Sequence, residues 1–105
     1  MRRFFVAGAI ALAGAAAPVF AQDGAALFQE KGCTACHGPT GNQAIANNYP
    51  NLAGQNEAYL FQQMKDIKSG ARDNGLTAAM KPTIANVSEQ EMQTIAKWLS
   101  EQPPK

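Results

Sequence analysis

Only one histidine and two cysteines occur in the sequence. A structural zinc site wants four ligands, usually Cys or His, so a closed site of that kind cannot be completed within the chain. Convincing alternation of apolar and polar residues is missing as well. That argues against strands and against the βαβ setting of a thioredoxin-like thiol pair. Nor is there a basic cluster. Nine Lys and Arg stand against eight Asp and Glu, which leaves no footprint for nucleic acid. No paired carboxylates, nucleophile–base set or glycine-rich phosphate loop points to an enzyme. Internal repeats and linkers are lacking too. The uncharged run rich in Ala, Ile, Leu and Val, Phe4 to Ala17, falls short of the ~20 residues a membrane-spanning helix needs.

That run has a different use. Arg2 and Arg3 precede it, Pro18 breaks it, and Val19-Phe20-Ala21 puts small residues at the two positions a signal peptidase reads. Residues 1–21 are therefore expected to be a secretory signal peptide cut after Ala21. An uncleaved anchor is the alternative, but Ala and Gly make the run weakly hydrophobic. The paired arginines lack the rest of a twin-arginine signal, so ordinary export is expected. Residues 22–105 then form one small domain with no stable membrane span. Loss of Arg2 and Arg3 leaves seven basic residues against eight acidic, a balance without a strong preference for partner charge. A domain of this size is marginal for a free-standing core and usually needs a staple.

Cys33-Thr34-Ala35-Cys36-His37 offers one. Two thiols three positions apart with a histidine next to the second read as a c-type haem attachment site. Cys33 and Cys36 would form thioethers with the haem vinyl groups, and His37 would be an axial ligand to the iron. A plain disulfide or redox pair is the rival. It leaves His37 without a role.

The rest of 22–105 reads as helices joined by Gly, Asn and Pro loops, an all-α domain. Asp23 caps a helix over Gly24 to Lys31, and Gly32 ends it. His37 to Gly54 is turn chemistry, and a long loop in so small a domain is usually functional. Here it would wrap one face of the haem. Asn56 caps a helix over Glu57 to Ser69. Tyr59, Leu60, Met64, Ile67 and the stem of Lys68 have the spacing of a buried face, and Gly70 ends the helix. Ala71 to Val87 reads as a loop with Gly75 and Pro82 as breakers. Ser88-Glu89-Gln90-Glu91 is a capping box that opens a last helix reaching Glu101. Met92, Ile95, Ala96 and Leu99 form its apolar stripe, widened by Trp98.

A six-coordinate haem needs a second axial group, and no second histidine exists. Methionine is the soft alternative and raises the reduction potential. Met64 and Met92 fall inside helical stripes, where methionine commonly fills the core. Met80 falls in the expected loop, which can carry a side chain across the haem without breaking a helix. Met80 is thus the expected distal ligand; the alternative is a methionine packed on the haem edge.

Taken together, these segments resemble a class I cytochrome c across 22–105. The likeness runs through Asp23-Gly24, Leu27-Phe28, Gly32 and the Cys33 to His37 motif. It continues in Pro50-Asn51-Leu52-Ala53-Gly54-Gln55 with Tyr59-Leu60, in Gly70-Ala71-Arg72, and in Met80 to Ser88. The middle segments are similar to the small bacterial periplasmic subgroup, which includes single-haem carriers and the domains of diheme carriers. The resemblance implies a small cytochrome c fold, with first and last helices crossing and long loops wrapping one haem c. It implies covalent attachment at Cys33 and Cys36, with His37 and Met80 as iron ligands. Pro50 would accept the proximal histidine N–H through its carbonyl. Phe28 and Trp98 match the aromatic contact where the two helices cross, with Trp98 in a place where tyrosine is common. Gln55, Tyr59 and Arg72 are candidates near the haem propionates. The implied function is one-electron transfer in the periplasm between redox protein partners, as a monomer or as the haem c subunit of a dehydrogenase or oxidase complex. An open iron acting as a ligand sensor or weak peroxidase, and a haem-free thiol protein, are the remaining classes.

Overall fold

A computed structural model describes residues 23–104. The expected signal segment 1–21 lies outside the described residues. Among the described residues five helices follow one another: α1 (Gly24–Glu30), α2 (Thr34–His37), α3 (Glu57–Ser69), α4 (Thr77–Ile84) and α5 (Glu89–Ser100). Among the described residues there is no strand, in keeping with the all-α expectation. None of the described helices is long and apolar enough to cross a membrane.

Local chemistry starts and stops the three main helices. The Asp23 carboxylate accepts from the Ala26 N–H at 2.7 Å and so satisfies one orphan donor of α1. Asn56 does the same for α3, accepting from the Tyr59 N–H at 3.0 Å. Gly70 closes α3 in the left-handed region, at φ 91°, where a side chain is disfavoured. Helix α5 opens with the full capping box. The Ser88 hydroxyl accepts from the Glu91 N–H, and the Glu91 carboxylate accepts from the Ser88 N–H.

The core lies where α5 packs on both α1 and α3. Leu27 and Phe28 of α1, Leu60, Met64 and Ile67 of α3, and Met92, Ile95, Ala96 and Leu99 of α5 are buried together with Ile84 and Val87. Phe28 and Trp98 meet at the crossing of α1 and α5, with ring centroids 5.4 Å apart and planes tilted by 46°. Gly24 makes that crossing possible, because a Cβ there would run into Trp98 Cβ.

Two expectations are corrected. Tyr59 does not join the buried face of α3; it is 53% exposed. Residues on a helix advance by about 100° each, and the stripe is set by Leu60, Met64 and Ile67, which leaves Tyr59 on its flank. Lys68 is exposed too, although its ammonium reaches the buried Val87 carbonyl. The second correction is larger. Residues 71–87 are not all loop, because α4 occupies Thr77–Ile84 and contains both Met80 and Pro82. Pro82 removes one backbone donor inside this helix, yet the Ala85 N–H still bonds the Lys81 carbonyl at 3.0 Å. Packing of α4 on α3 and burial of Ile84 hold the helix despite the proline.

Candidate functional site

One cleft, of about 280 Å³, opens between the helical core and the irregular segments. Helix α2 supplies one wall. It is a single turn in which the Cys36 N–H and the His37 N–H both bond the Cys33 carbonyl, at 3.3 and 3.1 Å. Positions i, i+3 and i+4 of a helical turn share a face, so the Cys-x-x-Cys-His spacing turns Cys33, Cys36 and His37 to the same cleft. The two cysteines are not bonded to each other. Burial pushes the Cys33 thiol up to about 11, with the neighbouring Cys36 adding to the rise against an opposing backbone hydrogen bond. A thiol kept neutral is a poor exchange nucleophile, which weighs against a thioredoxin-like pair.

His37 is 8% exposed. Its Nδ1 lies 3.1 Å from the Pro50 carbonyl oxygen. A carbonyl only accepts, so Nδ1 carries the proton and Nε2 keeps its lone pair. Burial pulls the imidazole below its ordinary pKa, against the opposing effect of the Pro50 hydrogen bond. The ring is thus neutral, oriented and supplied with a free basic nitrogen, which is the form that binds a metal.

Pro50 stands in the segment 38–56, which is held by its own turns and by a bond to α5. The Leu52 N–H and Ala53 N–H both bond the Gly41 carbonyl, at 2.6 and 3.1 Å, and the Gly54 N–H bonds Leu99 O of α5 at 2.9 Å. The Asn51 side chain accepts from the Ala44 N–H at 3.3 Å. Helix α4 supplies Met80, which also lines the cleft and is half-buried against the core. The structure therefore brings Cys33, Cys36, His37, Pro50 and Met80 to one cavity. Met64 borders it as well, from the buried face of α3, whereas Met92 is buried in the core and does not.

The cavity floor is apolar, with Phe28, Leu60, Ile67, Ile95 and Leu99 among its walls. Among the described residues lining the cleft, Arg72 is the single Lys or Arg, and its Nη1 donates to Gln63 Oε1 at 3.0 Å. Of the three polar residues that resemblance suggested for the propionates, Arg72 borders the cleft and Gln55 and Tyr59 do not. Gln63 was not anticipated. Its signal was present, since it is a polar residue beside Met64 and one turn from Leu60 on an otherwise apolar face.

These features fit haem c. A flat apolar macrocycle matches the walls, and two thiols, a neutral imidazole and a thioether line the same cavity. An arginine at the edge suits the carboxylates of such a group. Among the described residues no group of three or more His, Cys, Asp or Glu side chains is placed to hold a bare metal ion.

Comparison with known proteins points the same way. The family model described as "Cytochrome c" matches residues 21–103. Cytochrome c4 of Azotobacter vinelandii is 39% identical over 103 residues, covering 92% of this chain and 47% of that protein. Cytochrome c-554(548) of Halomonas halodenitrificans is 40% identical over 70 residues, covering 67% of this chain and 83% of that protein. A thiosulfate dehydrogenase electron acceptor of Thiomonas intermedia is 36% identical over 77 residues, covering 70% of this chain and 35% of that protein. The chain spans about half the length of the Azotobacter relative and about a third of the Thiomonas one. With a matching family model over most of its length and the Cys-x-x-Cys-His turn facing an apolar cleft, the chain belongs to the cytochrome c family and carries the paired cysteines through which that family binds haem covalently.

Proposed function

We propose that this protein is a periplasmic, monohaem one-electron carrier, exported by the segment 1–21 and cut after Ala21. The observation that supports the reading is the cleft itself, which His37 and Met80 both line together with the two cysteines. Bound there, haem supplies an iron that takes up and gives away one electron, alternating between the ferric and ferrous states.

The chain's own residues do the rest. Cys33 and Cys36 hold the group covalently. The Pro50 carbonyl fixes the His37 ring through Nδ1, which keeps the proximal ligand in one orientation and raises its basicity. Met80 offers a soft sulfur, which favours the ferrous state and raises the potential. Phe28, Leu60, Ile67 and Ile95 keep water from the interior of the cleft, and a low-polarity surround also bears on the potential. Because these positions are set by packed helices, little has to reorganise when the charge changes. On this reading the protein makes and breaks no bonds in a substrate and is not an enzyme.

A second reading has its own support. Two relatives, from Thiomonas intermedia and Stutzerimonas stutzeri, are thiosulfate dehydrogenase electron acceptors. That favours a chain that takes electrons from a periplasmic dehydrogenase, either as a free acceptor or as its haem subunit. Spectroelectrochemical titration of the purified holoprotein tests the carrier reading. A single reversible one-electron wave with no change of axial ligands is expected. Ligand loss on reduction, or rapid carbon monoxide binding by the ferrous protein, would instead support an open-iron sensor or peroxidase. Co-purification with a catalytic subunit separates the free carrier from the subunit.

A further inference from the structure

The segment that carries Met80 ends at two consecutive carbonyls, and a lysine holds each. Lys31 Nζ donates to the Asn86 carbonyl at 3.2 Å. Lys68 Nζ donates to the Val87 carbonyl at 2.7 Å. The two lysines come from different parts of the fold. Lys31 caps the C-terminus of α1 and stands two residues before Cys33, beside the proximal motif. Lys68 lies in the last turn of α3. Lys31 also reaches Glu91 Oε2 at 3.4 Å, and that carboxylate accepts from the Ser88 N–H in the capping box of α5. From the other direction, Lys81 Nζ, next to Met80 in sequence, lies against Gly70 at the end of α3.

The clamp answers a specific weakness. Helix α4 has no side-chain N-cap and contains Pro82, so its own hydrogen bonds are few. Ile84 and Val87 anchor its far end in the core. The carbonyls between that anchor and the N-cap of α5 fall outside any helix, and the lysines satisfy them. Charge-assisted hydrogen bonds of this kind are stronger than neutral ones.

We propose that Lys31 and Lys68 are positioning residues that clamp the carbonyls of Asn86 and Val87 and thereby hold Met80 in the cleft that His37 also lines. The proposal rests on the reading of Met80 as distal ligand. Loss of either contact frees the end of the α4 segment while the α1–α3–α5 core stays packed. Met80 then leaves the iron more often, without global unfolding.

Imidazole titration of the ferric holoprotein reads this directly. An exogenous ligand binds only the fraction in which Met80 is released, so its apparent affinity scales with that fraction. Lys68→Met keeps the apolar stem and removes the donor. It is expected to tighten imidazole binding on the order of tenfold, the size of one lost hydrogen bond to a charged group. Lys31→Met should act in the same direction, and Lys68→Arg should return the affinity towards wild type. Lys97→Met, which removes an exposed lysine paired with Glu101, should leave it unchanged. Far-UV circular dichroism melts of the same holoproteins provide the second readout. A lower melting midpoint with unchanged imidazole affinity would make the lysines merely structural and overturn the clamp. Met80→Ala separates the two levels. If it loses the sulfur-to-iron charge-transfer band and binds imidazole most tightly, while both lysine variants titrate as wild type, the clamp is wrong and the ligand reading stands. If Met80→Ala keeps the band, the ligand reading fails and the clamp with it.

Discussion

Helices α1, α3 and α5 carry their own start signals in Asp23, Asn56 and Ser88, whereas the segment 38–56, which brings Pro50 to His37, depends on contacts distant along the chain. Its backbone N–H groups bond to Gly41 within the segment and, outside it, to Cys36, to His37 and to Leu99 of α5. The helical frame is specified locally and is stabilised by burial of a continuous apolar stripe. The cleft walls are specified by what they touch. One region can therefore be damaged with the other left standing, and the size of the effect depends on which region is struck.

Chemistry at the cleft gives the largest effects. Cys36→Ala removes one covalent tether, and the yield of holoprotein after export is expected to collapse; a normal yield by haem absorbance per chain would contradict the attachment reading. Met80→Ala should mature and fold, because Met80 is only half-buried at the edge of the core. It should lose the sulfur-to-iron charge-transfer band and have a lower reduction potential. Met64 borders the same cleft, so Met64→Ala is the necessary control. If Met64→Ala abolishes the band and Met80→Ala preserves it, the two methionines have been assigned the wrong way round.

Changes to the frame are expected to be smaller and to spare the ligands. Gly24→Ala places a Cβ against Trp98 at the helix crossing. Overpacking of this kind should cost about 1–3 kcal/mol in chemical denaturation of the holoprotein, with the charge-transfer band intact in the native state. Ser88→Ala removes the cap of α5, at about 1 kcal/mol. A frame variant that lost the band before losing its helices would show that the two regions are not separable in this way.

The smallest effect concerns acid. The Ser88 backbone N–H holds the Glu91 carboxyl below its ordinary pKa of 4.5, and Lys31 adds to the fall. A depressed carboxyl contributes its full stabilisation above the ordinary value. That contribution is lost as pH falls through the lower folded-state pKa. Glu91→Gln cannot titrate, so its stability should fall less steeply than wild type on acidification below about pH 5. Parallel curves for the two proteins would remove Glu91 from the acid response.

What the sequence made legible follows the same division. The caps at Asp23, Asn56 and Ser88, the stop at Gly70 and the stripe of α5 each lie within a few residues of the feature they control. Cys33, Cys36 and His37 belong to that class, because their spacing alone puts them on one face of a turn. Helix α4 does not. Gly75 and Pro82 announce a loop, and only packing against α3 and burial of Ile84 make a helix there. Tyr59 failed for a related reason, since one residue on a helix shifts the face by about 100°. Lys31 acts through a partner 55 residues away, and nothing local marks such a contact. Resemblance supplied the role of Pro50, and the 3.1 Å contact with His37 supplied its geometry.

The central claim is that the cleft between α2 and α4 is built for one covalently attached haem. An alkaline pyridine spectrum of the protein, exported by a host able to mature c-type cytochromes and purified from the periplasm, tests this most directly. The account predicts a c-type signal at one haem per chain that acidified acetone fails to extract. A protein without haem, or with haem that acetone removes, would contradict it.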